Sequence, residues 1–148
     1  MKLAHKALAF LLVATGAFFP LAALSANGVI TTKLTSMALV LSPLGYRSLQ
    51  RTYHNVLPSN TYDLLRYNLT RGYNYSMIAA CDDDECQDID LVLYGPSGNR
   101  IGSAMSNDTS EAITFLARES GQYQLQVVMR GCILASCEYG ARPLYQEK

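Results

Sequence analysis

The chain has 148 residues, with 12 basic and 12 acidic side chains, four Cys and no Trp. That length fits one compact domain and leaves little room for a second. A formal charge of zero excludes the basic surplus of an electrostatic nucleic-acid binder.

The first residues have a character of their own. Lys2 and Lys6 make a positive start, residues 7–19 are an uncharged and mostly apolar run, and Pro20 breaks it. Ala23, Leu24 and Ser25 then place small residues where a signal peptidase reads, so residues 1–25 are expected to be a secretory signal peptide. The rival reading is an uncleaved anchor, because residues 7–26 are about as long as a bilayer span. Pro20 and the small-residue exit favour cleavage, which would leave a secreted or periplasmic protein without a membrane attachment. Removing the leader leaves 12 acidic against 10 basic residues.

Residues 26–60 form a lead-in whose structure the sequence leaves open. Leu34, Met37, Ala38 and Leu41 keep helical spacing, but Thr31, Thr32, Thr35 and Val40 are weak helix formers. A short helix and an ill-ordered segment are both compatible with that mixture. Residues 46–57 are equally ambiguous, and Pro58, Ser59 and Asn60 are a breaker.

From residue 61 to 148 the pattern is one of short strands. Leu65, Tyr67 and Leu69 alternate along 62–69, and Tyr73, Tyr75, Met77 and Ala79 alternate after the turn at Gly72. Ile89, Leu91 and Leu93 make a third strand, closed by the Gly95-Pro96-Ser97-Gly98-Asn99 turn. Further strands are expected over 100–104, 112–116, 123–129 and 138–144. About seven to eight short strands, with turns every 8–12 residues or so, predict an all-β fold, an antiparallel β-sandwich.

The four cysteines form two pairs of equal spacing, Cys81 with Cys86 and Cys132 with Cys137. In an exported chain an even set implies disulfides, with three connectivities open. Short loops close easily, which favours 81–86 and 132–137. A zinc site of four thiolates is the rival, but structural zinc usually shows a two-residue gap in at least one pair. A redox dithiol would want Cys-x-x-Cys, which is absent.

Between these cysteines lies a resemblance. Asp88-Ile89-Asp90-Leu91-Val92-Leu93-Tyr94, the turn 95–99, and Ser120-Gly121-Gln122-Tyr123-Gln124-Leu125-Gln126-Val127 stand in order along the chain. They resemble the bacterial pre-peptidase C-terminal domain, with its D-x-D-L-x-L-Y strand, Gly/Pro/Asn turn and S-G-x-Y-x-L-x-V segment. The resemblance covers roughly residues 62–144. It implies a jelly-roll-like β-sandwich of the kind appended to secreted proteases and other exported enzymes. This chain departs from that pattern in carrying no enzyme and in adding the two cysteine pairs.

Asp82, Asp83, Asp84, Glu85, Asp88 and Asp90 put half of the acidic residues into nine positions. Carboxylates so close together either share a cation or spread into water. Ca²⁺ takes about six to eight oxygen ligands, so Asp82, Asp83, Asp84, Asp88 and Asp90 are its candidate ligands. If strand direction alternates, the loops 81–86, 105–110 and 132–137 share one end, which adds Asp108 and brings Asn107 and Glu111 near. Some collagen-binding domains related to the resembled family bind calcium. Against a cation, the loop lacks the Gly and the bidentate Glu of an EF-hand, and Asp88 and Asp90 can serve as turn-capping residues instead.

The mature part holds a single His, His54, and no Gly-x-Ser-x-Gly, His-Glu-x-x-His or phosphate-binding Gly loop. The expectation is therefore a non-enzymatic, exported binding or accessory module, with a protein or polysaccharide partner and Ca²⁺ as the one candidate cofactor. A chaperone-like accessory to a separate secreted enzyme is the alternative. A small hydrolase using His54 and the loop carboxylates is the remote third.

Overall fold

A computed structural model of the protein describes residues 26–147; the leader expected over 1–25 lies outside the described residues. One helix, α1 (Ala26–Leu41), is followed by a 3-10 turn over Ser42–Leu44. Nine strands follow among the described residues: β1 (Arg47–Ser48), β2 (Tyr53–Pro58), β3 (Thr61–Leu69), β4 (Asn74–Cys81), β5 (Cys86–Tyr94), β6 (Arg100–Ala104), β7 (Ser110–Leu116), β8 (Gly121–Cys132) and β9 (Ser136–Gln146). They form two antiparallel sheets, so the all-β sandwich read from the sequence is the observed architecture. The first sheet runs β1-β9-β4-β7, with β2 also paired to β9, and the second runs β3-β8-β5-β6.

The alternations seen in the sequence for β3, β4 and β5 mark the face that meets the other sheet, and β8 follows the same pattern. Leu65, Tyr67 and Leu69 of β3, Ile89, Leu91 and Leu93 of β5, and Tyr123, Leu125 and Val127 of β8 are buried opposite Tyr75, Met77 and Ala79 of β4. The two segments that carry the pre-peptidase resemblance are neighbours in the second sheet, with Leu91 opposite Val127 and Leu93 opposite Leu125. Gly121, which opens the second of them, has φ +150, and a Cβ there would stand 3.0 Å from Pro96. A side chain at that position would strain the backbone and collide with the preceding turn.

The lead-in is part of the sandwich rather than a preface to it. β1 and β2 both pair with β9, in register from Arg47 with Tyr145 and from Tyr53 with Ala141. The expected boundary at 60/61 therefore divides β2 from β3 within one fold; the strands read over 61–148 are present as β3–β9, and the lead-in adds β1 and β2. β2 escaped sequence reading because all its residues but Leu57 are exposed, which removes the alternation that marks a half-buried strand.

Of the two readings left open for residues 26–41, the structure shows the helix. Ile30 and Leu34 are fully buried against Ile78, Ala80 and Leu144, on the outer face of the first sheet, with Met37, Ala38 and Leu41 packed around them. Burial of that stripe offsets the weak helix propensity of the threonines. β4 is thus covered on both faces, which is why its burial is continuous rather than alternating. The close approach is set by Gly140 of β9, where a Cβ would fall 2.7 Å from Ile30 and 3.0 Å from Leu34. Gly45, in the left-handed conformation at φ 87, ends the helical segment and donates its N–H to the Ser42 carbonyl at 2.9 Å.

Candidate functional site

Strand direction alternates, so the β4-β5, β6-β7 and β8-β9 loops fall at one end of the sandwich, joined there by the β2-β3 turn. Backbone hydrogen bonds tie the four together. The Cys81 N–H donates to Thr109 at 2.9 Å, the Ile89 N–H to Asp108 at 3.0 Å, the Ile133 N–H to Glu85 at 2.8 Å, and the Ser59 N–H to Ala135 at 3.3 Å. Two of these loops are closed by disulfides, Cys81–Cys86 and Cys132–Cys137, with Cα separations of 5.9 and 5.6 Å. Cys86 and Cys132 are themselves opposite each other across β5 and β8, so the two covalent loops stand side by side.

The acidic residues come together at this end and then part company. Asp82, buried, turns its carboxylate onto its own loop and accepts from the Asp84 N–H at 3.0 Å, while its carbonyl accepts from Cys86 at 2.8 Å. Asp83 pairs with Lys33 of α1 and accepts from the Thr109 hydroxyl, contacts that hold its carboxyl below the usual range. The same ammonium donates to the Cys81 carbonyl at 2.9 Å and to Thr109 Oγ1 at 2.8 Å, tying helix and loop into one unit. Asp90, buried, pairs with Arg130 Nε at 2.5 Å. Asp88 has a buried Oδ1 without a hydrogen-bond partner; burial and then Asp90 push its carboxyl up, with Glu111 and Asp108 adding to the shift. Asp108 accepts from the Ser106 hydroxyl at 3.2 Å, and Glu111 from the Ser106 N–H at 2.9 Å.

Among the described residues no group of three or more His, Cys, Asp or Glu side chains is arranged to hold a metal ion. A calcium cage needs about six to eight oxygens aimed at one point. Here Asp82, Asp83 and Asp90 are committed to a backbone amide, Lys33 and Arg130 respectively. These three carboxylates therefore turn to separate partners rather than to one point.

His54 lies on β2 and lines a small cavity with Asn27, Asn55, Val56 and Glu138. None of the carboxylates of 82–90 lines that cavity, so His54 and the loop carboxylates are not brought together there; Glu138 is the carboxylate beside His54.

What the sequence reading missed is apolar. Ile133 and Leu134, inside the Cys132–Cys137 loop, are 56% and 70% exposed. The signal was present as an aliphatic pair between two close cysteines, a place where a folded chain cannot withdraw it into the core. Lys33 and Arg130, the cations that divide the acidic cluster, lie far from it in sequence and gave no signal.

No family model matches the chain, and no curated protein matches it. The likeness to the pre-peptidase C-terminal domain thus rests on the quoted segments alone. Among solved structures the chain is similar to Aeromonas hydrophila PliG, described as a periplasmic lysozyme inhibitor of g-type lysozyme. The two are 10% identical, the match covers 65% of this chain and 85% of that one, and the TM-score is 0.49. A likeness at that level carries no argument, and no residue role passes from it to this chain.

Proposed function

We propose that the protein is an exported, non-enzymatic binding module whose disulfide-closed end docks onto a protein partner. The observation that carries this reading is the exposure of Ile133 and Leu134 at the tip of a covalently closed loop. Isolated exposed aliphatics are ordinary on protein surfaces, but here two adjacent ones are held out on a loop that cannot collapse around them. The Cys132–Cys137 bond and the Ile133 hydrogen bond to Glu85 fix the tip before any partner arrives. Such preorganisation lowers the conformational entropy lost on association. The Cys81–Cys86 loop, which carries exposed Asp84, touches this tip through the Ile133–Glu85 bond and gives it a polar flank, as at the rim of a protein-binding patch. The two disulfides favour an oxidising compartment, in line with the secretory leader read from the sequence.

The test uses the disulfide-bonded protein immobilised against the soluble exported proteins of its source. The wild type is expected to retain a partner that the Ile133→Ser/Leu134→Ser variant, melting at the same temperature, does not. Equal retention by both proteins, or none by the wild type, overturns the reading.

A further inference from the structure

The two sheets differ in how their outer faces are covered. α1 lies across the first. The second carries on its outer face a shallow trough of about 240 Å³, lined by Tyr62, Leu64, Tyr94, Gly98, Gln124 and Gln126. We propose that this trough binds a neutral oligosaccharide, at a site separate from the disulfide-closed end.

The chemistry of the lining selects the ligand. No Asp, Glu, Lys or Arg lines the trough, so neither an anionic nor a cationic group finds a counter-charge in it. Tyr62 of β3 is 57% exposed, which leaves an aromatic face free at one side. Tyr94 of β5 stands at the other side, and its hydroxyl donates to Gln126 Oε1 at 3.2 Å. That bond orients the ring and the amide together, and it uses the amide oxygen, so the Gln126 N–H groups are the donors this amide can offer a ligand. Gln124 stands directly beside Tyr94 in register, and Gln126 lies between Leu64 and Val92. Two tyrosines thus bracket a pair of primary amides. The C–H-rich face of a pyranose packs on an aromatic ring, and its hydroxyls supply the donors and acceptors that primary amides require.

The same glutamines argue against a polypeptide occupant. Drying two amides under an apolar protein surface carries a desolvation cost unless each finds a hydrogen-bond partner. A saccharide brings a hydroxyl at nearly every carbon and meets that need along its length. The span also suits a chain of rings. Tyr62 pairs with Val128 and Tyr94 with Gln124, so the tyrosines are two strands apart and four residues apart along β8. With strands ~4.8 Å apart and ~3.4 Å per residue, their backbones are separated by about 17 Å. That distance exceeds one sugar ring and fits a short oligosaccharide.

The experiment is native affinity electrophoresis of the disulfide-bonded protein in gels cast with hydroxyethyl cellulose, soluble starch, galactomannan or dextran sulfate. At least one of the three neutral polymers is expected to retard the wild type. Tyr62→Ala, at a position 57% exposed and with its melting temperature measured alongside, is expected to weaken that retardation about fivefold, and Tyr62→Phe to leave it within about twofold. Ile133→Ser/Leu134→Ser should leave it unchanged, so loss of the protein-docking reading does not carry this one with it. Retardation by none of the neutral polymers, retardation by dextran sulfate alone, or a Tyr62→Ala protein that runs like the wild type would each overturn the proposal.

Discussion

Asp63 offers the sharpest test of how the sandwich is held together at its open side. It lies on β3 of the second sheet, yet its Oδ2 accepts from Tyr139 at 2.8 Å, Asn55 at 2.9 Å and Tyr53 at 3.3 Å, all on β2 and β9 of the first. Its Oδ1 accepts from the Leu64 N–H at 2.9 Å. Burial alone would raise this carboxyl; the hydrogen bonds from Asn55, Tyr139, Leu64 and Tyr53 outweigh it and hold Asp63 below its ordinary range. In Asp63→Ala the exposed Tyr53 and Asn55 turn to water at little cost, but the Tyr139 side chain is buried and its hydroxyl is orphaned. Orphaning one buried donor costs about 2 kcal/mol. Tyr139→Phe removes donor and need together and costs about 1 kcal/mol. The double variant should therefore be destabilised by less than the sum of the two single ones. The pH dependence follows from the sign of the shift. A carboxyl with a depressed native value lends stability above its ordinary range and loses it as pH falls through the native value. The difference between wild type and Asp63→Ala should thus be full at neutral pH and shrink in acid. Urea unfolding followed by tyrosine fluorescence suits a chain with 10 Tyr and no Trp. An Asp63→Ala protein within about 0.5 kcal/mol of wild type at neutral pH, or one whose deficit persists undiminished at pH ~2, would refute the reasoning.

Two other predictions concern the covering helix and the closed loop. Gly140→Val places branched carbon where Ile30 and Leu34 now sit, and overpacking of this kind costs about 2 kcal/mol; adding Ile30→Ala should recover part of that loss in the same urea assay. Unchanged stability in Gly140→Val would show that α1 does not press on β9. Replacing Cys132 and Cys137 by Ser opens a loop with a sequence separation of 5, for which chain entropy gives a loss of about 2 kcal/mol. The strands beside it should persist in far-ultraviolet circular dichroism while partner retention weakens, and full retention by this variant would remove preorganisation from the docking argument.

The sequence itself determined most of the sheet interior. Period-two alternation in β3, β4 and β5 named Leu65, Tyr67, Leu69, Tyr75, Met77, Ala79, Ile89, Leu91 and Leu93 as apolar faces that the structure buries together, because a half-buried strand has to alternate. It also placed three loops at one end, since successive antiparallel strands return the chain to the same edge. The two local disulfides were the favoured pairing on loop length alone. Other features depend on contacts between residues distant in the chain. β2 becomes a strand by pairing with β9, and α1 becomes a helix by covering Ile78, Ala80 and Leu144. The acidic stretch left a shared cation and solvation both open, because its six carboxylates lie within nine positions. Lys33 arrives from 50 positions away and Arg130 from 40, and they draw Asp83 and Asp90 apart. Proximity along a chain concentrates charge; only the tertiary fold supplies the counter-charges that decide where each carboxylate points.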